Sequence, residues 1–147
     1  MVIIMKEYFI FSIKRDFAKL YKDRPRELFY IFNRIYNMKE IDKEYGYNLF
    51  EQISLFFDKK QLNKFITRNY IDKIMYSYNN NEHIVNNLFL NEISILKIRS
   101  SNLKIETNHD DSSFLNTLKE YPGNLFICDF NNQNYFFLKK KKEIVKI

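Results

Sequence analysis

The order of hydrophobic and polar residues in the N-terminal third predicts a strand followed by two helices. Residues 7–13, EYFIFSI, are aromatic and β-branched without a helical period, which is typical of a strand. Residues 14–21 are predicted to form a short helix with Ser12 as its N-cap. A second helix near 24–37 has Pro25 in its first turn, where the missing N–H does no harm. Its apolar residues recur at spacings of three and four: Leu28, Ile31, Phe32 and Ile35.

The middle of the chain gives weaker signals. Residues 38–50 are polar and predict a loop or a short helix, and residues 48–57, NLFEQISLFF, fit a strand or a helix equally well. Asp58 is in place to open a further helix, whose apolar positions are Leu62, Phe65, Ile66 and Tyr70. Residues 79–82, NNNE, break the chain, and no firm prediction is made from there to Leu90.

The C-terminal third has a clearer pattern. Residues 93–99 and 102–108 alternate as two strands of a hairpin. A helix near 110–120 follows, with Asp110 or Asp111 as its predicted cap and an apolar stripe on one side. These patterns predict an antiparallel pair of strands with a helix packed against it.

The last predicted strands complete the fold class. Residues 125–130, LFICDF, are apolar nearly throughout, which predicts a central strand covered on both faces, and residues 134–139 return beside it. Strands at both ends with helices between them predict an α+β fold. We expect a single domain over residues 1–147, with an antiparallel sheet of about five strands and helices packed over it. Residues 139–147 are predicted to form a basic tail.

Composition and charge limit the classes of partner and the cellular compartment. The formal net charge is +6 over 147 residues, which favours acidic partners: nucleic acid, an anionic membrane surface or an acidic protein face. The lone Cys128 cannot form an internal disulfide, so nothing indicates an oxidising compartment. No stretch approaches the length of a membrane-spanning helix. We therefore expect a cytoplasmic protein with no membrane partner.

The residues that usually carry chemistry form no recognisable site. His83 and His109 have no second ligand at metal-binding spacing, and the acids of residues 109–111, HDD, are explained at least as well by a helix cap as by a divalent ion. With only Gly46 and Gly123, neither a P-loop nor a dinucleotide fingerprint is possible. We expect no catalytic residue, no metal and no cofactor, and hence a binding protein that is not an enzyme.

The stretch RDFAKLY contains the only alanine of the chain. On a helix Phe17 and Tyr21 lie one turn apart on one face, and Ala18 lies beside them. Two interpretations stay open on the residues alone. The rings belong to the core, or they anchor a partner whose backbone approaches closely over Ala18, since Phe, Tyr and Arg are common interface anchors.

Nucleic-acid binding is the alternative function. Residues 14–24 mix basic residues with aromatics, and residues 139–146 belong to the basic tail. In a nucleic-acid complex, basic residues would contact phosphates and aromatic rings would stack on bases. Several lysines have acidic neighbours, however, and the aromatics recur at core-like periods. We therefore do not expect direct nucleic-acid binding.

Both ends of the chain resemble one family. Residues 7–32 and 112–138 are similar to the sporulation inhibitor of replication family, SirA, whose members open with an aromatic strand and a Phe-Ala-x-x-Tyr helix. The match continues at the C-terminus through a strand that ends in Asp-Phe-Asn, here residues 129–131. The middle matches loosely, through Gln52–Ile53.

This resemblance implies a function and a site. Family members bind the N-terminal domain (domain I) of the replication initiator DnaA and prevent it from firing the origin as sporulation begins. The resemblance implies a 1:1 complex in which Phe17 and Tyr21 on the first helix are contacts, Ala18 permits close approach, and Gln52 is a second contact. We accordingly expect Phe17 and Tyr21 to be substantially exposed in the free protein, on a helix that tolerates Ala18→Arg.

Overall fold

One antiparallel sheet, with helices on both of its faces, organises the chain. The structure is a computed structural model and describes residues 4–140. Its strands are β1 (Lys6–Ile13), β2 (Ser54–Leu55), β3 (Tyr76–Asn79), β4 (Glu82–Asn87), β5 (Glu92–Ile98), β6 (Leu103–Thr107), β7 (Asn124–Asp129) and β8 (Asn134–Phe137). Its helices are α1 (Arg15–Tyr21), α2 (Pro25–Tyr36), a 3₁₀ turn (Glu40–Asp42), α3 (Lys43–Ile53), α4 (Lys59–Tyr70) and α5 (Ser113–Leu118).

The strand order is β3-β4-β5-β6-β1-β7-β8, and every neighbouring pair is antiparallel. Strand β6 pairs with β1 only as far as Ile10. The short strand β2 pairs with the remaining end of β1, where Ser12 lies opposite Leu55. Strand β1 therefore has strand partners on both sides at Phe9, Ile10, Ser12 and Ile13, and on one side elsewhere.

Side chains of β1 alternate between two hydrophobic clusters. Tyr8 and Ile10 pack with residues of α4 and α5 on one face of the sheet. Phe9, Phe11 and Ile13 pack on the other face with residues of α1, α2 and α3. Because successive side chains of a strand point to opposite faces, one apolar strand supplies both clusters.

The cluster beneath α1, α2 and α3 is built from aromatic rings, and we call it the aromatic layer. Phe11 of β1 stacks on Phe32 of α2 with ring centroids 4.1 Å apart. Phe29 stacks on Tyr135 of β8 at 4.9 Å. Phe130 stacks on Tyr36 at 4.4 Å. These contacts tie α2 to the centre and the β8 edge of the sheet, with the offset geometry that aromatic pairs favour.

The structure confirms the predicted α+β class and the five predicted strands. Strand β7 lies between β1 and β8, and its alternate residues Phe126 and Ile127 are buried in the clusters on opposite sides of the sheet, so it is covered on both faces, as predicted for residues 125–130. Three further strands, β2, β3 and β4, were not predicted. Strand β4 was not predicted because polar His83 occupies one of its buried positions and interrupts the apolar pattern.

Two predicted helix caps are wrong. Ser12 does not cap α1: it is buried in β1, and α1 begins after Lys14 without a side-chain cap. Neither Asp110 nor Asp111 caps α5, because Ser112 Oγ accepts the hydrogen bond from the Phe114 N–H at 3.3 Å. Asp110 instead forms an ion pair with Lys6. The helix is consequently shorter than predicted.

The ambiguous middle segment is mainly helical. Helix α3 covers most of the region predicted as loop or short helix and continues through Ile53, where the chain changes abruptly to strand β2. The next predicted cap is confirmed, since the Asp58 carboxylate accepts a hydrogen bond from the Gln61 N–H at 3.1 Å. Residues 141–147 of the predicted basic tail lie outside the described residues.

The histidine of β4 is a buried structural group. His83 Nε2 lies 2.7 Å from Asn63 Oδ1, and Nδ1 lies 2.8 Å from the Tyr76 hydroxyl. An amide oxygen only accepts, so Nε2 carries the proton and Nδ1 accepts from Tyr76. Burial lowers the pKa of His83 to about 4, since the neutral ring is satisfied and the charged ring would be desolvated.

The His83 environment predicts a pH dependence of stability. Between pH 6.5, its ordinary pKa, and about 4, the unfolded chain binds a proton that folded His83 does not, so the free energy of unfolding should fall as the pH is lowered through this range. The difference in pKa corresponds to at most roughly 3 kcal/mol. Urea unfolding at several pH values should show this loss in the wild type.

The matched variant is His83→Gln, whose amide can keep both hydrogen bonds without titrating. It should lose less stability than the wild type over the same pH range. Equal losses in the two proteins would show that other groups cause the effect.

Candidate partner-binding surface

Helix α1 is fixed to the rest of the fold at its first turn. It follows β1 after a single residue, Lys14, whose backbone N–H donates to the Ile53 carbonyl of α3 at 2.9 Å. The Lys14 carbonyl in turn accepts from the Ala18 N–H at 2.9 Å. The orientation of this short helix is therefore set by the central strand and by the end of α3.

The two aromatic residues of α1 are half-buried. Phe17 and Tyr21 both pack against the aromatic layer, and each keeps part of its ring in solvent. The guanidinium carbon of Arg24 lies 5.9 Å from the centre of the Tyr21 ring, within the range of a cation–π contact. The expected substantial exposure is thus only partly met, because the rings contribute to the core as well as to the surface.

Ala18 is buried, so it does not occupy the exposed position that was expected, and the effect of arginine there stays a prediction. Its exposed fraction is 9%, and it belongs to the aromatic layer. A helix places Ala18 next to Phe17 and Tyr21 on the inward side, so α1 can approach the sheet closely only because this side chain is small. The one alanine of the chain is explained first by packing within the protein.

Leu20 is an exposed apolar residue that the sequence analysis did not assign to the site. Half of its surface is open to solvent, and its spacing of three from Phe17 places the two side chains on neighbouring positions of the helix. That spacing was the available signal. Leu20 therefore extends the surface that Phe17 and Tyr21 begin.

Gln52 lies on the last turn of α3 and is exposed. It directly precedes Ile53, whose carbonyl holds the Lys14 N–H. This bond joins the last turn of α3 to the start of α1, and so brings together two sites that are far apart in sequence. We call the exposed parts of Phe17, Leu20, Tyr21 and Gln52 the α1 face.

The remaining reactive residue types are held in structural roles. Burial raises the pKa of the Cys128 thiol, which disfavours the nucleophilic thiolate. The His109 Nδ1 accepts a hydrogen bond from the Asp111 N–H at 3.2 Å. Over residues 4–140 no three His, Cys, Asp or Glu side chains are grouped as metal ligands. In the same residues no helix has the length and apolarity needed to cross a membrane.

Comparison with protein families gives one match that spans nearly the whole chain. The family model described as sporulation inhibitor of replication protein SirA matches residues 6–142. The match includes β1, α1 and Gln52, and it also covers the middle segment that resembled the family only loosely. A search of curated proteins finds no match. The extent of the family match shows that the chain belongs to the family of the sporulation inhibitor of replication protein SirA.

Proposed function

We propose that this protein inhibits the initiation of DNA replication by binding the N-terminal domain of DnaA through the α1 face, as a 1:1 complex in the cytoplasm during sporulation. The observation that carries the proposal is the pair of half-buried rings, Phe17 and Tyr21, on a helix that the fold holds in place. Membership of the SirA family supports the inhibition of replication during sporulation. The α1 face supports binding through this helix.

A half-buried aromatic residue is a favourable anchor. Because the inner part of each ring packs on the aromatic layer, little side-chain freedom is left to lose when a partner covers the outer part. Leu20 adds an aliphatic surface beside the rings, and Gln52 adds a polar group that can form a directional hydrogen bond. Such a mixture of apolar centre and polar rim is typical of protein interfaces.

Inhibition of this kind needs no chemical step. A protein that occupies the surface through which the initiator assembles prevents assembly for as long as it stays bound. We accordingly propose a stoichiometric binding protein and not an enzyme. A DNA-binding domain would behave differently, because phosphate contacts weaken by orders of magnitude between low and moderate salt. The proposed complex should be far less sensitive to salt.

The first prediction concerns the aromatic anchors. Phe17→Ala and Tyr21→Ala should each weaken binding to the DnaA N-terminal domain by roughly thirtyfold, which corresponds to about 2 kcal/mol for a central aromatic contact. The interface should bury about 800 Å² per partner. Isothermal calorimetry with the purified domain measures the affinity.

Because both rings also pack on the core, the control must share that role. Tyr135 is half-buried against the same aromatic layer but lies on β8. Tyr135→Ala should lower the melting temperature to a similar extent and leave the affinity unchanged. The proposed face is wrong if Tyr135→Ala reduces binding as much as Tyr21→Ala does.

Leu20 offers a cleaner test, since it is half-exposed and lies outside the aromatic layer. Leu20→Asp should keep the melting temperature within a few degrees of the wild type and weaken the complex by about tenfold or more, because a carboxylate would be desolvated in the interface. Leu88→Asp, at a leucine on the loop between β4 and β5 that is more exposed than Leu20, is the control and should bind normally.

Ala18→Arg is expected to act through stability. The side chain would have to enter the aromatic layer, push α1 away from the sheet or bend into an open groove that Ala18 also lines, and the first two would cost roughly 2–4 kcal/mol. Thermal melting should therefore show a clear decrease before any binding is measured. A normal melting temperature would mean that α1 can move, and that Ala18 is more accessible than its 9% exposure indicates.

A further inference from the structure

A second surface lies on the other flank of α1. It is a groove of about 780 Å³ between α1, β2, the start of β7 and the residues that follow β8. None of the four residues of the α1 face lines it. The groove and the α1 face thus use opposite flanks of the same helix, and the inference below does not rest on the proposed function.

The charged side chains that line the groove are basic. Among residues 4–140, no aspartate or glutamate lines it and five basic residues do: Arg15, Lys19, Lys22, Lys139 and Lys140. All five belong to exposed residues. The ion pairs formed within residues 4–140 use other basic residues, so none of these five has a close acidic partner in that part of the chain. Like charges gathered around one concavity favour the binding of an anion.

One of these basic side chains already has a partner in the backbone. Lys140 Nζ donates a hydrogen bond to the Tyr121 carbonyl, and burial lowers the pKa of its ammonium group. The backbone bond holds the side chain against the protein instead of leaving it free in solvent. A nearby carboxylate would restore the favourable environment for this charge.

The floor of the groove is apolar. Ile13, Leu125 and Leu138 form buried parts of it, and Leu55 of β2 contributes a side chain that is 47% exposed. A half-exposed leucine between basic side chains provides an apolar contact for an aliphatic or aromatic group of a ligand. A ligand made only of charges would leave this surface uncovered.

We propose that the groove binds an acidic peptide segment of a partner protein, with an apolar side chain over Leu55 and carboxylates facing the five basic residues. Nucleic acid fits the same charge but fits the floor less well. Single-stranded nucleic acid binds over exposed aromatic rings, and the one ring that lines the groove, Phe137, is half-buried.

The test uses the full chain and three fluorescein-labelled probes. The first is a short capped peptide of Glu and Asp with a central Leu-Phe pair, and the second carries Ser-Ser in place of that pair. The third is a single-stranded DNA of the same net charge. Fluorescence anisotropy at about 0.1 M salt, where exposed charges are screened beyond roughly 10 Å, should show that the Leu-Phe peptide binds best.

The variants separate the groove from the overall charge of the protein. Lys139→Glu combined with Lys140→Glu should weaken binding of the Leu-Phe peptide by about tenfold or more. The control is Lys59→Glu combined with Lys60→Glu, an adjacent exposed pair on α4 with the same change in net charge, which should bind within about twofold of the wild type. Leu55→Ser should weaken the peptide about fivefold and Leu88→Ser should not.

Each possible outcome has a definite meaning. Thermal melting verifies that every variant is folded, and Arg15→Glu replaces the Lys139 and Lys140 pair if that pair is destabilised. The proposal is overturned if the wild type does not bind the Leu-Phe peptide, if the α4 control weakens binding equally, or if the Ser-Ser peptide binds as well. If the DNA binds more tightly than the Leu-Phe peptide, and Lys139→Glu with Lys140→Glu abolishes that binding, the groove is a nucleic-acid site and the peptide proposal is wrong. Leu20→Asp should bind the peptide normally, which separates this result from the fate of the α1 face.

Discussion

Strand β1 is buried on both faces of the sheet, and the other features of the structure depend on this constraint. Its backbone is paired with β7 on one side and with β6 and then β2 on the other. Its side chains alternate between the aromatic layer and the cluster under α4 and α5. A strand held in this way leaves no freedom of register, because a shift by one residue would exchange every side chain between the two faces. Helix α1 follows directly, so its position is fixed as well.

This connection explains why the residues of the α1 face both pack on the core and reach the surface. A helix of about two turns has little stability in isolation and needs tertiary contacts. Phe17, Ala18 and Tyr21 supply them, and the rings are long enough to reach the surface too. In the proposed complex the same positions would serve both packing and recognition. Leu20, which is outside the aromatic layer, is free of that double requirement.

The features that sequence reasoning found are those with strong local signals. Strand β7 was evident because LFICDF is apolar on both faces, and the Asp58 cap because aspartate stands directly before a helical period. Strand β4 was missed because buried His83 breaks its apolar pattern. The contact between the end of α3 and the start of α1 was also beyond prediction from spacing, since the Lys14–Ile53 hydrogen bond joins residues far apart in sequence. Likewise, periodicity placed Phe17 and Tyr21 on one face but could not decide how deeply that face is buried.

The two flanks of α1 differ in chemistry because they meet different neighbours. One flank carries Leu20 and the exposed parts of two rings. The other carries Arg15, Lys19 and Lys22 across a groove from the residues that follow β8. Buried Ala18 lies between them and keeps α1 close to the sheet. Since the first turn is bonded to Ile53, the helix cannot adjust to a partner on one flank without disturbing the other, and both surfaces are presented as rigid parts of one scaffold.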